Sequence, residues 1–161
     1  MKENEFLISN SALAELIETV VSRKKSLRFK AKGFSMFPFV CNNDILTISP
    51  FENDYLDLGQ VVAFLCPPRQ SLAIHRIIGR KVNGYMLKGD NVFTIDGVIP
   101  RENILGYVSR VERKGRRIVS GLGQERCLIV FLSRARILSS LFRLGRLMPR
   151  PIKRFLNEKL F

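Results

Sequence analysis

Ser35 lies in the run Gly33-Phe34-Ser35-Met36-Phe37-Pro38, and the only histidine of the chain, His75, follows forty residues later in Ala-Ile-His-Arg-Ile-Ile-Gly. Fifteen residues beyond His75 stands Asp90, in Lys88-Gly89-Asp90-Asn91, and Asp96 comes six residues after that. A hydroxyl, an imidazole and a carboxylate can serve as nucleophile, general base and orienter of the base. A serine hydroxyl needs a neighbour to take its proton at neutral pH, and imidazole as a class exchanges protons in that range. Gly33 lets the backbone turn sharply ahead of the serine and approach a substrate closely, and Pro38 restricts it just after. Met36 and Phe37 offer apolar surface for a cleft. Both aspartates sit in turn sequences, where Asp often only bonds backbone amides, so either could supply the carboxylate.

These groups must be held by regular elements. His75 belongs to an apolar stretch, Leu72 to Ile78, that reads as a strand. Alternation puts Ala73, His75 and Ile77 on one face and Leu72, Ile74, Arg76 and Ile78 on the other. Before Ser35, Leu27, Phe29 and Ala31 alternate with Arg28, Lys30 and Lys32, a second strand ending at Gly33. Further strands are expected at Ile45 to Ser49, Gln60 to Cys66, Tyr85 to Lys88, Ile104 to Val111 and Arg117 to Ser120. Turn signals such as Asn83-Gly84, Asp96-Gly97 and Lys114-Gly115 divide them. Short strands at this spacing predict a mainly β domain whose sheet coils and partly closes.

Helices are expected at the two ends. Leu13, Leu16, Ile17, Val20 and Val21 form one apolar stripe, with Ser9 or Ser11 as cap, so residues 1–25 read as an N-terminal amphipathic helix. Residues 26–120 make the β domain, and 121–161 a basic helical segment in which a helix runs from Arg126 to about Leu147. There Arg136, Arg143 and Arg146 gather opposite Ile137, Leu138, Leu141 and Phe142, until Pro149 and Pro151 stop the pattern.

Composition narrows the function classes. The chain has 161 residues, 46% of them hydrophobic, enough for one globular domain. Three widely spaced cysteines, Cys41, Cys66 and Cys127, make no Cys-x-x-Cys pair and no zinc spacing, which predicts free thiols and no metal. No stretch is apolar for the roughly 20 residues a spanning helix needs. The N-terminal sequence lacks the basic and apolar blocks of a secretory signal. The expected location is therefore cytoplasmic, with the inner membrane face as a peripheral site. Net charge is +13, and residues 110–161 hold fourteen Lys or Arg against three Glu. That bias makes an anionic membrane surface an expected partner of the C-terminal helix.

The same residues resemble the type I signal peptidases, most closely their archaeal and endoplasmic-reticulum branch with a histidine base. That branch carries a Ser-Met-x-Pro motif, a His-Arg step, and a Gly-Asp-Asn motif followed by a further Asp. Here these correspond to Ser35-Met36-Phe37-Pro38, His75-Arg76, Gly89-Asp90-Asn91 and Asp96. The similarity runs from about Leu27 to Arg113 and includes the step Asp57-Leu58-Gly59 before Val61. It implies a signal peptidase/LexA-type fold and a serine endopeptidase that cleaves a peptide or protein precursor after small residues, with no cofactor. It further implies Ser35, His75 and Asp96 as the catalytic triad, with Asp90 and Arg76 supporting the site. Gly33, Met36, Phe37 and Pro38 would shape the cleft, and the Ser35 amide would hold the oxyanion.

Three departures accompany the resemblance. Gly33 and Phe34 stand where the family reads Ser-Gly before Ser-Met, and that first serine contributes a hydroxyl to the oxyanion in some members. The transmembrane anchor expected before the nucleophile is replaced by the Ser11–Ser22 helix, and the basic tail lies outside the match. Gly33 favours a second reading, a peptide-binding pseudo-peptidase without turnover. A third, a LexA-like self-cleaving regulator, has about 26 residues before its first strand, too few for a helix-turn-helix. It also needs a lysine base where His75 stands, so nucleic acid is not the expected partner.

Overall fold

The computed structural model describes residues 9–53, 55–67 and 71–134. Helix α1 spans Asn10–Ser22, and the Ser9 hydroxyl accepts the Ala12 N–H at 3.2 Å, satisfying one of the amides left over at a helix start. Of the expected stripe only Ile17 is buried, joined by Ala14, with Leu13 and Val21 packed alongside. Leu16 is exposed, because the face turned to the core runs through Ala14 instead.

Eight strands follow: β1 Leu27–Lys30, β2 Ile45–Ser49, β3 Val61–Cys66, β4 Ser71–Lys81, β5 Gly84–Lys88, β6 Val98–Ile99, β7 Ile104–Arg113 and β8 Arg116–Ile118. A 3-10 turn at Arg101–Asn103 leads into β7, and helix α2 covers Arg126–Arg134. All pairings are antiparallel, in the order β1-β2-β7-β3-β4-β5-β6, with β8 on the far half of β7. The expectation of a mainly β domain with a helix before it and a helix after it is met. The expected partial closure is not: among the described residues β1 pairs only with β2 and β6 only with β5, so the sheet is not closed.

β3 explains how one sheet makes two cores. Val61 and Ala63 join Ile17, Met36, Leu46, Ile48, Val108 and Val111 on one side. Val62 and Phe64 join Leu56, Ile77, Tyr85, Leu87, Ile99 and Ile104 on the other. A strand buried on both faces has no polar alternate positions, which is why β3 reads as a continuous apolar run.

Several boundaries differ from the sequence reading. β4 extends to Lys81 because it continues into the turn at Val82-Asn83 and pairs onward with β5. β6 has only two residues, too short for a period to register. The strand expected at Arg117–Ser120 is Arg116–Ile118. Lys114 and Gly115 both take positive φ, the geometry of a two-residue hairpin turn, and this fixes Arg113 opposite Arg116.

The 121–161 segment does not stand apart where it is described. Ile129, Val130 and Ser133 are buried, and α2 lies on β4 and is tied to β5 by Lys88 Nζ donating to Ser133 Oγ at 2.9 Å. The remainder of the helix expected to run from Arg126 to about Leu147, and the rest of the chain after it, lie outside the described residues. No described helix is long and apolar enough to cross a membrane.

Candidate active site

His75 and Arg76 are neighbours on β4 that address opposite faces, as a period of two requires. The Arg76 side chain is fully buried, and four of its five N–H groups are hydrogen-bonded. Its Nε and Nη2 donate to the two oxygens of Asp90 at 2.9 and 2.7 Å, and Nη1 donates to the carbonyls of Gly59 and Gly121 at 2.8 and 2.7 Å. The guanidinium also lies 5.4 Å from the centre of the Phe39 ring. A buried charge so thoroughly bonded locks the register of β4, because a one-residue slip would leave it unpaired. The lock presents His75 on the opposite face, beside the Phe64 ring at 5.8 Å.

His75 Nδ1 meets Asp96 Oδ2 at 2.6 Å, with both side chains mostly sheltered from water. A carboxylate at Nδ1 favours the tautomer with its proton there, leaving Nε2 as the free acceptor. Asp96 is held by its own backbone, whose N–H donates to the Leu87 carbonyl at 3.0 Å. Asp90 therefore faces Arg76 and Asp96 faces His75.

Ser35 follows Gly33, whose φ of +99° lies in the region glycine favours, and whose N–H donates to Asn42 Oδ1 at 3.0 Å. Any side chain here would be strained by that backbone conformation, although space for a Cβ is open. The segment then coils back, with Phe37 N–H donating to Phe34 O and Val40 N–H to Met36 O. Met36 turns into the core, while Phe34 and Phe37 are exposed. Met36 thus supports the loop from beneath rather than lining a cleft. Pro38 follows a cis peptide bond, and its carbonyl accepts from Arg113 Nη2 at 3.1 Å. Arg113 also makes a two-pronged bond to Asp44, at 2.9 Å on each prong, and this bond holds the guanidinium above its usual pKa. Burial in the same loop pushes the Cys41 thiol up.

The turn Lys88–Asn91 joins the two halves of the site. Asn91 N–H donates to the Ser35 carbonyl at 2.8 Å, and Asn91 Nδ2 donates to the Phe34 carbonyl at 3.1 Å. Between them sits Gly89. A Cβ there would lie 2.8 Å from the Ser35 carbonyl oxygen and 3.0 Å from His75 Nε2, so those atoms are no further apart than the sum of these distances. The four residues of the turn act separately. Lys88 anchors α2, Gly89 permits close approach, Asp90 holds Arg76 and Asn91 clamps the serine loop. Among the described residues no hydrogen bond is made by the Ser35 hydroxyl or its amide N–H. The Ser35 carbonyl and His75 Nε2 thus meet across Gly89, and among the described residues no hydrogen bond joins the Ser35 hydroxyl to the imidazole.

Spacing alone missed Gly89 and Asn91 as working residues, although both lie in the Gly-Asp-Asn motif. Phe93 and Ile95, in the loop between Asn91 and Asp96, are exposed apolar side chains, as are Phe34 and Phe37 in the serine loop. The loop leading to α2 is stiffened by Glu125, which accepts the N–H groups of Gly121 and Gly123. Its own backbone N–H, those two amides and the nearby Arg76 hold its carboxyl below the usual range, against a smaller opposing effect of burial. No protein-family model and no curated protein matches this chain.

Proposed function

We propose that this chain is a serine endopeptidase of the signal peptidase/LexA fold type, acting on an extended peptide or protein precursor and cleaving after small residues. The observation that carries this reading is the contact of Asp96 with His75 Nδ1, with Nε2 turned toward the Ser35 loop. The Ser35 hydroxyl attacks the scissile carbonyl as its proton passes to His75 Nε2, and Asp96 stabilises the imidazolium that forms. The oxyanion rests on the Ser35 amide, whose N–H has no other partner among the described residues. His75 then returns the proton to the departing amine, and water resolves the acyl-enzyme by the same path.

Ser35→Ala tests the reading. Cleavage of a small-residue peptide, followed by mass spectrometry, disappears while the thermal melting curve barely moves; equal activity in that variant would rule it out. A second reading, a peptide-binding module without turnover, is favoured by Gly33 and by the open hydroxyl–imidazole contact. Labelling of Ser35 by an activated serine reagent separates the two: the peptidase is labelled and the binding module is not. The regulator reading is weakened by Lys88, which adjoins Gly89 in the chain but is buried on the face of Arg76, opposite His75. An anionic membrane surface is the partner proposed for the basic C-terminal segment, supported by the exposed Leu128 and Phe131 on α2.

A further inference from the structure

β4 is longer than the strand beside it. Toward β3 it is paired continuously from Ser71 to Arg76, and Ile77 exchanges main-chain bonds with Gln60 and Gly59. In an antiparallel ladder the groups of alternate residues point to alternate sides. The N–H and C=O of Leu72, Ile74 and Arg76 therefore point away from β3. Arg76 is met there by Lys88, the last residue of β5. Beyond it, next to His75 in the chain, no described strand pairs with this edge.

One register of that edge is already filled, by a side chain. Leu72 N–H donates to Asn10 Oδ1 at 2.6 Å, and Asn10 Nδ2 donates to the Leu72 carbonyl at 3.3 Å. A carboxamide carries the donor and the acceptor of a peptide group, so Asn10, at the start of α1, stands in for one residue of a missing strand. Ile74, between Leu72 and Arg76, has no hydrogen-bond partner for either main-chain group among the described residues. An extended peptide beside His75 has one pair of main-chain bonds to make there. Two residues further, about 6.6 Å along the strand, it meets Asn10.

Resting on the peptidase reading above, we propose that Asn10 is a specificity-determining residue that ends substrate pairing at Ile74. The site then recognises only the few residues around the scissile bond, and main chain further along gains nothing from β4. An exposed strand edge is a template for any extended chain. Covering Leu72 from α1 makes the template short.

The test uses the full chain carrying Ser35→Ala, with and without Asn10→Ala, and fluorescent peptides of a common small-residue core lengthened one residue at a time in either direction. Alanine at the first helical position keeps α1 capped by Ser9. With Asn10 present, affinity stops rising once the peptide passes the Ile74 register. With Asn10→Ala, the affinity ratio of long to short peptides rises roughly 3- to 10-fold, the worth of one or two main-chain hydrogen bonds. N-methylation of the peptide residue facing Leu72 abolishes that gain. The same length dependence in both proteins, or a gain insensitive to N-methylation, overturns the proposal, and so does failure of every peptide to bind. Length-dependent binding without cleavage by the wild-type chain leaves Asn10 in its role and instead removes turnover from the reading it rests on.

Discussion

Asp96 Oδ2 stands 2.6 Å from His75 Nδ1, across 21 residues of chain, while Asp90, nearer in sequence, faces the other side of the sheet. One carboxylate serves chemistry and the other architecture, and separate variants should separate them.

Asp96→Asn puts an amide where the imidazole needs an anion, and permits the wrong tautomer. The expected loss in kcat for peptide cleavage is about 10²- to 10⁴-fold, with a melting temperature close to wild type. Steady-state kinetics beside a thermal melt check both halves.

Asp90→Ala does the reverse. It strands the buried Arg76 charge, for an expected cost of about 3–5 kcal/mol in urea unfolding. Replacing Arg76 and Asp90 together by apolar residues recovers much of that stability. A single-variant cost below about 1 kcal/mol would show that the pair does not tie β4 to the turn.

Gly89→Ala changes none of the three reacting groups, yet its methyl meets both the Ser35 carbonyl and the His75 ring. Relief of that overlap spreads the serine loop from the imidazole. Cleavage should fall sharply, and stability by about 1–3 kcal/mol. Wild-type kinetics in this variant would mean that the two segments are not held in contact.

Glu125 makes the fold acid-sensitive in a defined direction. Its carboxyl is held below the usual glutamate range, so its contribution is present above that range and is lost as the pH falls through the folded value. Glu125→Gln should flatten the acid limb of a stability–pH curve measured by circular dichroism, and leave the neutral region nearly unchanged in slope. An identical acid limb in both proteins would remove Glu125 from that account.

Binding to vesicles tests the proposed membrane partner. The full chain should co-sediment with anionic but not zwitterionic vesicles at low salt, and lose that binding as salt rises. Removing residues 135–161 takes away +6 of the net charge of +13, and Leu128→Ser with Phe131→Ser takes away the exposed apolar groups of α2. Each change should weaken binding, and undiminished binding in both would exclude this surface.

Local chemistry carried a large share of what could be read without coordinates. Alternation located β1, an apolar stretch located β4, short runs between turn signals located β2, β3, β5 and β7, and a serine cap with its apolar stripe located α1. These are short-range patterns, set by the backbone period and by which side chains shun water. Asp90 and Asp96 were indistinguishable on that basis, since both sit in turns with the same local signals. What parts them is the pairing of β4 with β5, which carries one to each face.

The residue types, their order along the chain and the strand content were thus decided by the sequence itself. Tertiary structure alone decided why residue 89 has no side chain and that Asn10 covers an edge 62 residues away. It also brings to the imidazole the carboxylate, Asp96, that the resemblance implied and local patterns could not choose. Such contacts depend on where β5 stops and where α1 begins relative to β4. Nothing in the neighbourhood of either residue encodes that distance, because it is set by the packing of the whole sheet.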